Sequence, residues 1–228
     1  MSPSLADQLQ RVREAMAAAC ARRGRAPAAV RLLAATKGVA AERVREAYAL
    51  GLRLFGENRV QEGEAKRAAL PDLAAEWHLL GPLQSNKAAR ALAIFSTIES
   101  LDSLALAERL NRLATERVRV LLEINIAREP QKHGLAPDEV VALAQAAAAL
   151  PNLEVCGIMA IPPAADSAEA SRRHFAALAE LGETVRAALS RGREGWEISM
   201  GMSQDYEVAI EEGATLVRLG RALFGERP

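Results

Sequence analysis

The chain has 228 residues, 50% apolar and 25% charged, a composition that excludes disordered and fibrous classes and supports one sizeable core. Lys+Arg and Asp+Glu tie at 29 each and aromatic residues make up 4%, so the basic field and the stacking platforms of a nucleic-acid binder are both missing. No apolar run reaches the ~18 residues of a membrane span, and the first residues read as an amphipathic helix rather than a leader. Cys20 and Cys156 have no CxxC partner, which argues against a disulfide framework or a zinc site. The expectation is a cytoplasmic protein with a small-molecule partner, no nucleic acid and no membrane.

In chain order, a helix near Leu5 to Arg23 precedes eight short runs rich in Val, Ile and Leu. These are Val30 to Thr36, Arg53 to Glu57, Glu76 to Gly81, Ile94 to Glu99, Val118 to Asn125, Leu153 to Ile161, Trp196 to Met200 and Thr215 to Gly220. Stretches of helical period lie between them. Val44 and Tyr48 share a face, Leu106, Leu110 and Leu113 form a stripe behind the cap Asp102, and Pro137 suits a first helical turn. Asp166 and Glu169 have capping-box spacing, while Gly24, Gly51 and Gly213 fall where helices end. Strand then helix, eight times without a linker, predicts a (β/α)8 TIM barrel with an extra N-terminal helix, a single domain over residues 1–228. An open doubly wound sheet is the runner-up, weakened because no GxGxxG follows the first strand.

In such a barrel the loops after the strands carry the chemistry. Lys37 follows the apolar LLAAT of the first strand. It reads either as a cation reaching solvent or as a desolvated, neutral amine able to attack an aldehyde. Asn58 follows the second strand as a donor to a ligand oxygen or as a helix cap. His78 lies within the third strand, where alternation turns it inward with Leu80 if Trp77 and Leu79 face the helices; a hydrogen-bonded core histidine is the competing reading. ISMGMSQD and VRLGRALFG set Ser199, Gly201, Ser203 and Gly220 after the seventh and eighth strands, where barrels commonly hold phosphate. Arg218, inside the eighth strand, needs an acceptor, whether a ligand or a barrel carboxylate such as Glu123. Together these describe a site for a phosphorylated aldehyde, of which pyridoxal phosphate is the commonest cofactor.

Six ordered segments, AATKG, FGENRVQEG, WHLLGPLQSNK, GIMAIPP, SMGMSQD and VRLGRALFGER, span about Val30 to Gly225. They resemble the pyridoxal-phosphate homeostasis proteins, relatives of the barrel domain of alanine racemase. The resemblance implies that Lys37 forms a Schiff base with pyridoxal phosphate and that Arg218 faces the pyridine nitrogen. It also implies that Ser199, Ser203, Gly220 and Arg221 surround the phosphate, with Asn58 and His78 lining the pocket. Arg221 stands where many relatives carry Thr or Ser, so that hydroxyl contact is lost or replaced by a backbone N–H.

An arginine opposite the pyridine nitrogen disfavours its protonation and makes the ring a poorer electron sink. Related racemases add a tyrosine base through a β-domain and a partner subunit. This sequence carries no such domain, and Tyr48 and Tyr206 both read as helical. The expected function is a non-catalytic carrier or reservoir of pyridoxal phosphate, a monomer exchanging cofactor with PLP-dependent apo-enzymes. An amino-acid racemase is the alternative, and a Schiff-base aldolase acting on a sugar phosphate is a third class.

Overall fold

The computed structural model describes residues 3–225. Helix α1 (Leu5–Arg22) starts at Ser4, whose hydroxyl accepts from the Asp7 N–H while the Asp7 carboxylate accepts from the Ser4 N–H, and the chain turns at Gly24 with φ +62°. Its buried stripe of Leu5, Leu9, Val12 and Met16 recurs at helical spacing and packs toward the last two helices of the chain. Strand and helix then alternate: β1 (Arg31–Ala35), α2 (Ala41–Ala49), β2 (Leu54–Glu57), α3 (Val60–Ala69), β3 (Glu76–Leu79), α4 (Ala88–Leu92), β4 (Thr97–Leu101) and α5 (Leu104–Leu113). The second half continues with β5 (Val118–Ile124), α6 (Val140–Ala148), β6 (Leu153–Ala160), α7 (Arg172–Ala188), β7 (Glu197–Ser199), α8 (Tyr206–Glu211), β8 (Leu216–Leu219) and α9 (Arg221–Phe224).

All eight strands are parallel, each beside its sequence neighbour, and β8 returns to β1 with Leu33 opposite Arg218. The result is the closed barrel expected from the alternating pattern. Outward residues such as Leu79, Ile98, Val120, Ile158 and Val217 join Val44, Leu106, Leu110 and Phe175 of the helices in the main core. Inside the barrel, Leu33, Leu54, Leu80 and Leu216 make a smaller apolar layer. Among the described residues, no helix is long and apolar enough to cross a membrane.

The glycines read as helix stops adopt the left-handed backbone, Gly51 at φ +91° and Gly213 at φ +112°. Four local expectations are corrected. The fourth strand is Thr97–Leu101 rather than Ile94 to Glu99, because Ile94 and Phe95 donate back to the Ala91 carbonyl in the turn that ends α4. The cap of α5 is Ser103, whose hydroxyl accepts from the Leu106 N–H, and not Asp102. Pro137 precedes α6, which begins at Val140. Ser167, not Asp166, caps the turn before α7 by accepting from the Ala170 N–H, and Glu169 pairs with Arg172 instead.

Candidate functional site at the barrel mouth

A cavity of about 460 Å³ opens where the C-terminal ends of the strands meet. Lys37, Asn58, Ser203, Arg218, Gly220 and Arg221 all line it, together with the apolar Leu80, Ile161 and Met202. Lys37 emerges from the end of β1, half-buried, just before Gly38 at φ +68° turns the chain away. Asn58 follows β2, and its carbonyl lies so near the next loop that a Cβ at Gly81 would sit 2.3 Å from it. That contact explains why a glycine ends the segment WHLLG.

The loops after β7 and β8 are tied to each other. The Ser203 hydroxyl accepts from the Ala222 N–H at 3.0 Å, and the Arg218 N–H donates to the Gly201 carbonyl at 3.0 Å. With its lone pair engaged by Ala222, the Ser203 hydroxyl proton has no acceptor among the described residues and remains available to an anion. Asp205 accepts from the Met202 N–H at 2.7 Å; burial still pushes its carboxyl above the ordinary range, with that bond and Arg218 opposing.

Two expected site residues do not line this cavity. His78 and Ser199 are fully buried within the barrel, beneath the mouth. Ser199 donates to Glu99 Oε2 at 2.6 Å and accepts from an Arg218 terminal nitrogen at 2.6 Å, while His78 Nδ1 lies 2.6 Å from Glu99 Oε1. The inward orientation foreseen for His78 is present, and so is the hydrogen-bonded core histidine that competed with a ligand role. Ser199 serves as the bridge between a buried carboxylate and a buried guanidinium rather than as a wall of the phosphate loop.

Arg218 therefore does not pair with Glu123. Its other terminal nitrogen donates to the Ala160 carbonyl at 2.9 Å, and its nearest carboxylate is Glu99 at 3.9 Å. Burial lowers the guanidinium pKa from its usual value, against the pull of Glu99, Glu123 and Asp205. Glu99 is fully buried, yet its bonds and the charges of His78 and Arg218 outweigh desolvation and hold its carboxyl below the ordinary range. Among the described residues Glu123 Oε2 has no partner, and burial pushes the carboxyl up to about 7.

Sequence reasoning missed Glu99 and a buried ion pair behind Lys37, Glu57 with Lys66. Both left a trace. Glu99 is an acid beside Ile98 in a strand buried at every position, and Lys66 follows Val60 and Gly63 at threes on the buried face of α3.

The closed parallel barrel of eight strands is the fold of the alanine racemase N-terminal domain. The corresponding family, "Alanine racemase, N-terminal domain", matches residues 4–228. Within that class the chain belongs to the pyridoxal phosphate homeostasis protein family. It is 42% identical over 224 residues to the pyridoxal phosphate homeostasis protein of Aquifex aeolicus, covering 97% of each chain. It is 44% identical over 230 residues to that of Pseudomonas aeruginosa, covering 100% of this chain and 96% of the relative. Among solved structures, PipY of Synechococcus elongatus with PLP bound superposes with a TM-score of 0.82 at 37% identity, covering 97% of this chain and 100% of that one.

Proposed function

We propose that this chain binds pyridoxal phosphate at the barrel mouth, covalently through Lys37, and serves as a carrier in pyridoxal phosphate homeostasis rather than as a catalyst. The observation that carries the reading is the convergence of Lys37, Ser203, Arg218 and Gly220 on one cavity of about 460 Å³, within the range of small-ligand sites. The residues fit the group: an amine for the aldehyde, a hydroxyl with a free proton for the phosphate and a guanidinium for the ring. The tight approach at Gly220, where a Cβ would lie 3.2 Å from the Ala35 carbonyl, keeps that wall bare.

When bound, the cofactor supplies an aldehyde and an electron-withdrawing ring. Lys37 would supply the amine that meets the aldehyde. Ser203 donates to the phosphate, and Arg221 adds positive charge at the rim. Arg218, held from behind by Ser199 and the Ala160 carbonyl, would offer a permanent donor to the ring nitrogen and so keep a proton off it. Asn58 would border the ring, while His78 and Ser199 act from below by fixing Glu99 and Arg218.

A site whose arginine suppresses ring protonation is suited to holding and releasing the aldehyde. The family names of the relatives support the same reading. The protein is proposed to act as a cytoplasmic monomer that yields its cofactor to PLP-dependent apo-enzymes. Loaded protein mixed with such an apo-enzyme should restore its activity, and loaded protein alone should not interconvert alanine enantiomers. Robust racemisation that disappears in Lys37→Ala would overturn the carrier reading in favour of a racemase.

A further inference from the structure

We propose that Thr36, Glu57 and Lys66 form a buried clamp whose task is to position Lys37 for its covalent attachment to the cofactor. The inference rests on the reading of Lys37 as the attachment point. Lysine is seldom buried, yet Lys66 of α3 is only 8% exposed, and Thr36 and Glu57 are fully buried. Lys66 Nζ donates both to Glu57 Oε1 and to the Thr36 carbonyl, and the Thr36 hydroxyl donates to the same Glu57 oxygen. The ring so closed joins the ends of β1 and β2 to α3.

Its place in the chain gives it a direction. The Thr36 carbonyl belongs to the peptide bond that Lys37 leaves from, and Glu57 directly precedes Asn58. Fixing that carbonyl fixes the peptide plane at the root of the Lys37 side chain. Further up, the same carbonyl accepts from the Val39 N–H at 2.9 Å, so the turn that carries Lys37 is held on both sides. An apolar pair of similar volume would dock α3 on the barrel at least as well, because desolvation offsets much of a buried ion pair's attraction. Docking alone therefore does not account for ionic groups here. Holding that carbonyl from the side of α3, opposite the Val39 N–H, needs a second donor, and Lys66 supplies it. Glu57 in turn supplies its counter-charge, and among the described residues Glu57 Oε2 has no partner of its own.

A positioning role separates covalent loading from simple binding. The test uses the full chain and two ligands: pyridoxal phosphate, whose adduct is followed by visible absorbance and borohydride trapping, and pyridoxine phosphate, which has the same ring and phosphate but no aldehyde. The double variant Glu57→Gln with Lys66→Met removes both charges together, and Thr36→Val removes only the hydroxyl in a side chain of equal shape. For the double variant we expect the loading rate to fall about tenfold or more while pyridoxine phosphate affinity stays within about twofold. Thr36→Val should fall in loading by a smaller factor, roughly threefold, because it removes the hydroxyl bond to Glu57 but leaves Lys66 on the Thr36 carbonyl. Wild-type loading rates in both folded variants would overturn the clamp, as would a proportional loss for both ligands. A wild-type protein that forms no adduct on Lys37 would instead remove the reading on which the clamp rests.

Discussion

Replacing Glu99 with Gln keeps the side chain's size and removes a fully buried carboxylate from the centre of the barrel. Glu99 accepts from Ser199 at 2.6 Å, and Ser199 in turn accepts from Arg218 at 2.6 Å. In the variant an amide can keep one of the two partners, His78 or Ser199, as donors to its oxygen, but its NH₂ then faces the other. Removing one member of a buried charge pair costs about 3–5 kcal/mol. The lower end applies here, because Glu99 and Arg218 stand 3.9 Å apart with a hydroxyl between them and Glu123 and Asp205 remain as counter-charges. A loss of about 3 kcal/mol corresponds to a melting temperature roughly 6–12 °C lower for a chain of this size.

The penalty should also depend on pH. With Glu99 neutralised, Arg218 favours ionisation of Glu123, whose carboxyl otherwise titrates at about 7. The loss measured by urea denaturation should therefore be larger at about pH 6 than at about pH 8.5, where Glu123 supplies the missing charge. A Glu99→Gln variant within about 0.5 kcal/mol of wild type at both pH values would refute the idea that this carboxylate compensates a buried Arg218.

The other expectations concern single groups. Ser203→Ala removes the hydroxyl that would meet the phosphate, and cofactor affinity measured by equilibrium dialysis should weaken by roughly 1.5–3 kcal/mol with the fold retained; unchanged affinity contradicts a phosphate loop there. Glu123 keeps its proton to about pH 7 in the folded chain through burial first and Asp102 second, with His133 and Arg218 opposing. An unfolded carboxylate loses its proton near pH 4.5, so this group's contribution to stability is full below that value and is lost as pH rises toward 7. Relative to wild type, Glu123→Gln should therefore gain up to about 3 kcal/mol between about pH 5 and pH 8, and a difference that does not vary with pH contradicts the shift. Burial pushes the Cys156 thiol up to about 12, and Cys20 is fully enclosed, so a thiol reagent should label neither cysteine within minutes in native protein and both in denaturant.

The barrel was legible because strand and helix periods alternate without interruption, and because the glycines that end helices stand where the left-handed backbone requires them. What failed was depth. Alternation turned His78 inward correctly, but Ser199 was read as part of the loop after β7, and only the register shows that it lies level with Leu216 while Arg218 lies a full alternation nearer the mouth. Two residues further along the chain, just past the end of β3, Leu80 reaches the cavity that His78 does not. The fourth strand was misplaced because Ile94 and Phe95 look like a buried strand, whereas the strand's own inward residues are Thr97 and Glu99. Phe95 is buried instead against α3, where a Cβ on Gly63 would lie 2.5 Å from its ring. The clamp behind Lys37 joins residues up to 30 positions apart, a pairing that no local pattern encodes.

The central claim, that Lys37 is the attachment point, is tested most directly by loading the purified chain with pyridoxal phosphate, reducing it with borohydride and mapping the adduct by peptide mass. A single adduct on the peptide containing Lys37, absent from Lys37→Ala, is the predicted result. An adduct on Lys87 or Lys132 in its place, or none at all, would contradict the account.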